Sequence, residues 1–258
     1  MPDEIILTDL KDGVLTITLN RPKANAFTTE MAQALTKVFR DAGRNDAVRV
    51  VLLTGAGKLF SAGQDVTEFG EGEHTSFRKH LLRTYNPLII EMRRLEKPII
   101  GAINGAAAGA ALGIALACDL RIAADNARFV VGFSGIGLAP DSAVSLMLPL
   151  LIGLARASEA AFMNQPISAE QALAWGLVNR VVPAEELPTA AAAWASELAK
   201  GPIHAMGYTK RDFNKAVLPN LEEVLDYEAH IQEVAGSGGD HREGLAAFRE
   251  KREARFGG

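Results

Sequence analysis

The segment IIGAINGAAAGAALGIALAC, at residues 99–118, decides how the rest of the chain is interpreted. It carries no charged side chain, and a run of this length is able to span a bilayer. However, Ala and Gly favour membrane insertion far less than Leu, Ile or Phe, and Asn104 interrupts the run. Pro98 followed by two isoleucines predicts a short buried strand, Asn104-Gly105 predicts a turn, and Gly109 onwards predicts a helix of small residues. We therefore predict a buried strand–turn–helix unit here instead of a membrane span.

The segments around this unit alternate between strand and helix patterns. Towards the N-terminus, the predicted elements are a hairpin (residues 5–7 and 14–19), a helix capped at Thr28, a strand (48–53), a helix (77–95), a strand (98–103), a helix ending at 118 and a strand (120–123), with a loop at 70–75. This alternation is typical of an α/β fold with right-handed crossovers. Towards the C-terminus, the predicted elements are helices at residues 168–175, 184–200, 203–217, 221–235 and 240–255 and a short strand at 177–182. The sequence thus predicts an α/β core over residues 1–190 and a helical region over residues 191–258.

Composition and charge exclude several classes of protein. The chain has 258 residues, of which 48% are hydrophobic and 22% charged, as in an ordinary globular enzyme. A net charge of −4 without a basic stripe argues against a nucleic-acid binder. The single cysteine, Cys118, rules out an internal disulfide, and the histidines lack metal-ligand spacing, so no metal site is expected. Because no basic region precedes the apolar residues of the N-terminus, the sequence predicts a cytoplasmic protein.

Two turns of small residues predict a site for a negatively charged oxygen. The motif FSAGQD, residues 60–65, directly follows a predicted parallel strand, where α/β sheets bind ligands. The helix that starts at Gly109 offers free N–H groups and the positive end of its dipole. Together the two turns are able to direct two backbone donors at one carbonyl oxygen, forming an oxyanion hole. A purely structural interpretation, in which Asp65 caps a glycine turn, fits the first motif about equally well.

Asp141 is the candidate proton carrier. It follows the apolar sequence Ile-Gly-Leu-Ala-Pro at residues 136–140, and apolar surroundings disfavour the charged form of a carboxylate. Its pKa is therefore expected to rise towards a value suited to proton transfer. Alternatively, Asp141 caps a helix predicted at residues 142–150.

Several motifs in a fixed order resemble one family over essentially the whole chain. They are LNRPKANAF (residues 19–27), FSAGQD (60–65), KPIIGAINGAAAGAALGIALACD (97–119), ISAEQALAWGLVNRVV (167–182) and REGLAAFREKR (242–252). By these motifs the sequence resembles the crotonase (enoyl-CoA hydratase/isomerase) superfamily. The resemblance implies a spiral of ββα units with a helical C-terminal trimerisation region, and a homotrimer or a hexamer built as a dimer of trimers. It also implies acyl-CoA thioester substrates, so that coenzyme A enters with the substrate and no separate cofactor is expected.

The resemblance also implies which residues hold the substrate. The oxyanion-hole donors become the N–H groups of Ala62 and Ala110. Residues implied around the acyl and CoA groups are Lys23, Ala24, Ala26, Gly63, Gln64, Asp65, Gly109, Phe133, Phe248 and Lys251. In relatives, the last two positions reach the nucleotide bound to a neighbouring subunit, although packing and solvation of an amphipathic helix explain them equally well.

Two departures from the family pattern determine the predicted reaction. The positions of the two catalytic glutamates of hydratases are Gly113 and Phe133 here, and neither side chain transfers a proton. Adding water to a double bond is most readily carried out by two carboxylates. Asp141 instead matches the acid–base aspartate of the bacterial 1,2-epoxyphenylacetyl-CoA isomerase group. Members of that group also resemble this chain at YNPL (residues 85–88), FVVGFSGIGLAPDS (129–142) and DHREGLAAF (240–248). We therefore predict an isomerase that converts a 3-enoyl-CoA to a 2-enoyl-CoA, or a ring-epoxide phenylacetyl-CoA to an oxepin-CoA.

Three alternatives remain open from the sequence. The first is an enoyl-CoA hydratase of fatty-acid β-oxidation, and the second is a crotonase homologue that binds acyl-CoA without catalysis. The third is a 4-chlorobenzoyl-CoA dehalogenase, whose nucleophilic aspartate occupies the position of Asp141. That group has a histidine and a tryptophan where this chain has Ile90 and Phe133, which disfavours the third alternative.

Overall fold

The computed structural model describes residues 4–21, 23–68 and 76–257. The strands are β1 (Ile6–Lys11), β2 (Val14–Leu19), β3 (Val50–Gly55), β4 (Ile99–Ile103), β5 (Ala106–Ala108), β6 (Leu120–Ala124), β7 (Arg128–Val130), β8 (Ile167–Ser168) and β9 (Arg180–Val182). The helices are α1 (Thr29–Arg44), α2 (Phe77–Arg83), α3 (Tyr85–Arg94), α4 (Ala110–Ala117), α5 (Val144–Ile152), α6 (Leu154–Phe162), α7 (Ala169–Ala174), α8 (Leu187–Ala199), α9 (Ile203–Val217), α10 (Leu221–Gly236) and α11 (Gly239–Glu250). The loop predicted at residues 70–75 lies outside the described residues.

The strands form two sheets, and strands of the smaller sheet alternate in the sequence with strands of the larger one. The larger has the order β1-β2-β3-β4-β6-β9, in which β1 and β2 form the predicted antiparallel hairpin and the other neighbours are parallel. The smaller has the order β5-β7-β8. Because β4 continues into β5 and β6 into β7, the chain passes from the large sheet to the small one twice. This arrangement places the start of α4 at the edge of the small sheet.

The segment at residues 99–118 is buried, as predicted, but it contains an additional strand. It forms β4, a turn, the short strand β5 and the helix α4. A side chain at Gly105, in the turn, would place its Cβ 2.0 Å from the Lys58 carbonyl oxygen, so only glycine fits there. Among the described helices, none is both long and apolar enough to cross a membrane.

Apolar side chains pack on both faces of the large sheet. One cluster joins α1, α3 and α4 to the sheet through residues such as Leu35, Leu88 and Leu112. The other lies beneath α8, whose Leu187 and Trp194 pack against β3 and β4. The helix α8 thus covers a sheet face and extends across residue 190, where the boundary between the core and the C-terminal region stays a prediction.

Most predicted elements are present, but α6 was not predicted and the last helix ends at Glu250 instead of residue 255. Two further differences lie close to the candidate site. The single helix predicted at residues 77–95 is divided into α2 and α3 at Thr84, whose backbone leaves the helical region (φ −123°, ψ −86°). The Thr84 hydroxyl donates to the His80 carbonyl at 2.7 Å, closing the end of α2. The second difference is the small sheet, whose strands are two or three residues long and show no alternating pattern in the sequence. Side chains of both α2 and α3 line the candidate site.

Candidate active site

A cavity of about 470 Å³ lies between the loop after β3, the start of α4, the turn before α5, and helices α2, α10 and α11. The predicted site residues that line it are Ala26, Ala62, Gly63, Gln64, Asp65, Gly109, Ala110, Phe133, Asp141 and Phe248. Lys23, Ala24 and Lys251 do not line the cavity. Lys23 and Lys251 are exposed and have left-handed backbones, with φ of 78° and 54°. The cavity therefore brings together most of the predicted acyl site, and the role of the two lysines stays a prediction.

The loop at residues 60–65 is held against the small sheet. The Ser61 N–H donates to the Ala106 carbonyl at 3.0 Å, and the Ala108 N–H donates to the Ser61 carbonyl at 3.1 Å. A Cβ at Gly63 would lie 2.6 Å from the Ala108 oxygen and 3.7 Å from the Ala110 nitrogen. The two predicted oxyanion turns are therefore adjacent, and glycine at position 63 keeps the space between them open.

The two predicted donors differ in their present hydrogen bonds. Ala110 is the first residue of α4, so its N–H has no helical carbonyl to bond. Gly109 positions it with a backbone that favours glycine (φ 55°, ψ −126°). The Ala62 N–H, by contrast, donates to the Ala24 carbonyl at 3.0 Å. This donor must give up or share the Ala24 bond before it reaches a substrate oxygen, and its role as an oxyanion-hole donor stays a prediction.

The alternative interpretation of Asp65 as a local cap agrees with the geometry. Its Oδ1 accepts from the N–H and the hydroxyl of Thr67, at 3.0 and 2.6 Å. Its Oδ2 pairs with the Arg21 guanidinium at 2.6 Å. These donors outweigh partial burial and lower the pKa of Asp65. Asp65 is thus an ionised, fully engaged group at the edge of the cavity.

Asp141 is buried, with 7% of its surface exposed, and each carboxylate oxygen accepts one hydrogen bond. The Ser142 hydroxyl donates to Oδ1 at 2.7 Å, and the Gln232 side-chain amide donates to Oδ2 at 2.7 Å. Burial raises the pKa of Asp141 to about 6, although both hydrogen bonds act in the opposite direction. A carboxyl group with this pKa is suited both to take up and to release a proton near neutral pH.

Asp141 does not cap the following helix, contrary to the alternative interpretation. The helix α5 begins after Ala143, whose side chain makes no capping bond. Glu228 of α10 caps it instead, accepting from the Ala143 N–H at 2.8 Å and the Ser145 N–H at 3.0 Å. Ser142 and Ala143 adopt left-handed backbones (φ 57° and 62°), a conformation that costs free energy for residues other than glycine. The turn after Asp141 is thus strained and is fixed from another helix.

The backbone after Asp141 fills the space beside Gly113. A Cβ at Gly113 would lie 2.3 Å from the Ser142 carbonyl oxygen and 2.5 Å from the Ser142 Cβ. No glutamate side chain fits at this position without moving the turn. Phe133, at the other departure, is 6% exposed and forms an apolar wall of the cavity, as predicted.

Sequence reasoning missed five polar residues that line the cavity. They are Thr67, His80, Tyr85, Gln232 and His241. The Tyr85 hydroxyl donates to Gln64 Oε1 at 2.6 Å, and His80 Nε2 lies 3.0 Å from the same oxygen. Burial lowers the pKa of His80 and raises that of Tyr85, so both are neutral near pH 7.

The sequence held a signal for two of these residues. Tyr85 opens the YNPL sequence, and His241 belongs to the C-terminal DHREGLAAF sequence. His241 Nδ1 lies 2.8 Å from the Ile136 carbonyl, and because a carbonyl only accepts, this nitrogen carries the proton. Gln232 belongs to no motif and reaches the site only through the fold. Within the described ranges, no group of three or more His, Cys, Asp or Glu side chains is arranged to hold a metal ion.

Comparison with known proteins agrees with this geometry. Residues 9–258 match the family model for enoyl-CoA hydratase/isomerase. The chain is 41% identical over 259 residues to 1,2-epoxyphenylacetyl-CoA isomerase of Escherichia coli (strain K12), covering 99% of each sequence. It is 38% identical over 251 residues to a probable enoyl-CoA hydratase of Rhodobacter capsulatus, covering 97% of this chain and 96% of the other. A crystal structure of an enoyl-CoA hydratase from Mycobacterium avium subsp. paratuberculosis K-10 superposes with a TM-score of 0.90 at 33% identity, covering 100% of both chains. The predicted α/β fold with a helical C-terminal region is confirmed.

Proposed function

Because the chain belongs to the enoyl-CoA hydratase/isomerase family and has the crotonase fold, we propose that it is an acyl-CoA isomerase with Asp141 as its acid–base group. One observation carries this proposal. Asp141 is a buried carboxylate with a pKa near neutral, and its turn occupies the space where a hydratase glutamate at position 113 would be. Asp65, which also lines the cavity, is bound to Arg21 and Thr67. A single proton carrier suits an isomerisation better than a hydration.

The proposed reaction moves one proton from C2 to C4 of a 3-enoyl thioester. Asp141 takes the proton from C2, and the electrons of that C–H bond form a dienolate whose negative charge lies on the thioester oxygen. The N–H groups of Ala110 and Ala62 stabilise that oxygen, the second after releasing the Ala24 carbonyl. Each such donor typically contributes about 3–4 kcal/mol to the transition state. Asp141 then returns the proton to C4, which leaves the double bond between C2 and C3.

The apolar wall of the cavity accommodates the acyl group. Phe133, Leu138 and Phe248 lie along this wall, and the same proton carrier and donors suit an aromatic ring-epoxide thioester that rearranges to an oxepin. The similarity to a 1,2-epoxyphenylacetyl-CoA isomerase supports the second substrate class. Coenzyme A enters as part of the substrate, and we propose no separate cofactor.

Turnover of a 3-enoyl-CoA and a 2-enoyl-CoA, measured side by side, tests the proposal. The wild type is expected to isomerise the 3-enoyl thioester without hydrating the 2-enoyl one. Asp141→Asn is expected to lower isomerisation by at least about 10²-fold, as for removal of a general base, while binding of a saturated acyl-CoA is retained. Asp9→Asn, on the exposed strand β1, is the matched control and should behave as the wild type.

Two results would contradict the proposal. Hydration that survives Asp141→Asn would mean that another acid–base pair operates. Binding of acyl-CoA without any Asp141-dependent turnover would favour the non-catalytic homologue.

We also propose that the chain assembles with copies of itself, as a homotrimer or a dimer of trimers. A hollow of about 540 Å³ lies between α5 and α9. Leu150, Phe213 and Val217 border it with 49%, 63% and 50% of their surfaces exposed. Large apolar side chains grouped in this way mark a surface that another protein covers. A second copy of the chain is the proposed occupant.

A further inference from the structure

We infer that Gln232 is a positioning residue that holds Asp141 in one place both with and without its proton. This inference concerns the residue to which the proposed function gives the central role, and it rests on that function for its catalytic consequence. It does not follow from any motif, because Gln232 lies 91 residues away from Asp141 in the sequence.

The side-chain amide of Gln232 is buried, and in the described part of the chain its nitrogen makes a hydrogen bond but its oxygen does not. Gln232 is 1% exposed and lines the cavity, and its Nε2 donates to Asp141 Oδ2 at 2.7 Å. Its Oε1 is buried and has no hydrogen-bond partner in the described part of the chain. An unpartnered buried acceptor costs free energy, which an apolar side chain of similar volume would avoid. A glutamine is therefore a poor choice for packing alone at this position.

The unused oxygen allows the amide to serve both states of the carboxyl group. When Asp141 is ionised, the amide N–H donates to Oδ2, as in the structure. When Asp141 has taken up the proton, a half-turn of the amide presents Oε1 as an acceptor for the new O–H group. A glutamine side chain carries both a donor and an acceptor, so either state finds a partner. Because Oε1 has no bond to break, this half-turn disrupts only the bond to Asp141. The proton itself passes from substrate to Asp141 and back, and Gln232 neither gains nor loses one.

The helix α10 holds the amide at a fixed distance from the turn. Glu228 lies one helical turn before Gln232, on the same face. Its carboxylate accepts from the N–H groups of Ala143 and Ser145, so α10 is bonded to the backbone just beyond Asp141. Gln232 is thereby held against the carboxyl group from a rigid element.

Other titratable groups near Asp141 are engaged elsewhere or neutral. They are Glu228 on α10, Tyr85 on α3, His80 on α2 and His241 on α11. Glu228 is bonded to α5, Tyr85 to Gln64, and His241 to the Ile136 carbonyl. The Ser142 hydroxyl donates to the other carboxylate oxygen of Asp141, Oδ1. Gln232 is thus the residue outside the Asp141 turn that donates a hydrogen bond to the Asp141 carboxylate.

Two substitutions separate positioning from packing. Gln232→Met keeps the length and volume of the side chain but removes both the donor and the acceptor. Because the bond to the ionised carboxylate is charge-assisted and is stronger than the bond to the protonated form, the pKa of Asp141 is expected to rise by about one pH unit. Gln232→Glu places a second carboxyl group beside Asp141 and should raise that pKa further. Gln171→Met, which removes an exposed amide of the α7 capping box, is the matched control and should leave it unchanged.

The titration is read directly by ¹³C NMR of aspartate side-chain carboxyl groups, with the Asp141 signal assigned from Asp141→Asn. In the isomerisation assay, the acidic limb of the kcat/KM profile should move upward with the same pKa, while affinity for a saturated acyl-CoA stays within about twofold.

An unchanged Asp141 titration in a folded Gln232→Met protein would overturn the inference, whatever happens to the rate. If the Met variant fails to fold, Gln232→Glu decides, because its side chain has nearly the same shape as glutamine; an unchanged titration there has the same meaning. The NMR titration does not need turnover. A wild type without isomerase activity therefore refutes the proposed function but leaves the effect of Gln232 on Asp141 measurable.

Discussion

At the scale of single residues, Gly113 leaves the space that the turn after Asp141 occupies. In the interior of a helix, Gly→Ala usually raises the free energy of unfolding by about 1 kcal/mol. At Gly113 the added Cβ would meet the Ser142 carbonyl oxygen at 2.3 Å, which is backbone and yields only if the Asp141 turn moves. We therefore expect Gly113→Ala to lower the free energy of unfolding by about 1–3 kcal/mol, as in an overpacked core, and to lower isomerase turnover.

Urea unfolding of Gly113→Ala, measured side by side with that of Gly43→Ala, checks this expectation. Gly43 lies near the end of α1, where a new Cβ would meet the Leu95 Cδ1 at an ordinary 3.5 Å. That variant should be at least as stable as the wild type. Equal stabilisation by both substitutions would show that the Asp141 turn is not packed against α4 as described.

Among single residues, those that lie in a motif were easier to predict from the sequence than those whose role depends on a contact with a distant segment. Asp141, Ala110 and Phe133, which line the cavity, could be singled out because they stand in motifs or in an apolar setting. Gln232 was missed because its role depends on a contact between segments 91 residues apart. The bond from the Ala62 N–H to the Ala24 carbonyl was missed for the same reason.

At the scale of elements, α10 is attached to α5 through a buried carboxylate. Burial raises the pKa of Glu228 from 4.5 to about 7, against the hydrogen bonds from Ser145 and Ala143. Between these two values the folded protein binds more protons than the unfolded chain, so stability is fully present below pH 4.5 and is lost as pH rises through 7. The loss attributable to Glu228 is about 3 kcal/mol, since one pH unit corresponds to about 1.4 kcal/mol. Asp141, raised from 3.8 to about 6, acts in the same direction over a lower window.

Glu228→Gln tests this dependence because its side chain is neutral throughout. We expect the free energy of unfolding of the wild type to fall between pH 4.5 and pH 7, the window set by the Glu228 pKa, and the variant to show a clearly flatter profile in urea titrations. Glu223→Gln changes an exposed carboxylate on the same helix and should leave the wild-type slope intact. A variant slope as steep as that of the wild type would mean that Glu228 is ionised across the whole range.

Elements with a strong period were predicted well, and short ones were not. The bounds of α9 agree with the predicted residues 203–217 because its pattern is long and ends before a proline-containing turn. The strands β5, β7 and β8 contain too few residues to show a period, and they exist because each pairs with a neighbour. The division at Thr84, by contrast, has a local signal: Pro87 lacks the N–H that a continuous helix would donate to the Arg83 carbonyl.

At the scale of the whole molecule, the hollow between α5 and α9 predicts self-association. Replacing Phe213, which is 63% exposed, with Asp would place a charge at the centre of the proposed contact. We expect the wild type to sediment as a trimer or hexamer and Phe213→Asp to dissociate by at least about tenfold in Kd, since burying an unpaired charge is costly.

Sedimentation velocity at several concentrations measures this change. Leu10→Asp, on the exposed face of β1, is the matched control and should keep the wild-type assembly. A monomeric wild type, or dissociation of both variants alike, would contradict the proposed contact. The overall fold was predictable from the sequence because five motifs occur in the order that is typical of the family. None of these motifs indicates how two copies of the chain pack against each other.

The bond between Gln232 and Asp141 has a consequence for the order in which the protein acquires its parts. A ribosome that has made residues 1–200 has completed both oxyanion turns and the large sheet, but not α10. A nascent chain at that stage already carries Asp141, the proposed proton carrier, while Gln232 and Glu228 of α10 are still missing. Any activity that depends on the bond between Gln232 and Asp141 should therefore appear only after α10 has been made. A partly synthesised chain would keep the candidate site unassembled until that helix had emerged.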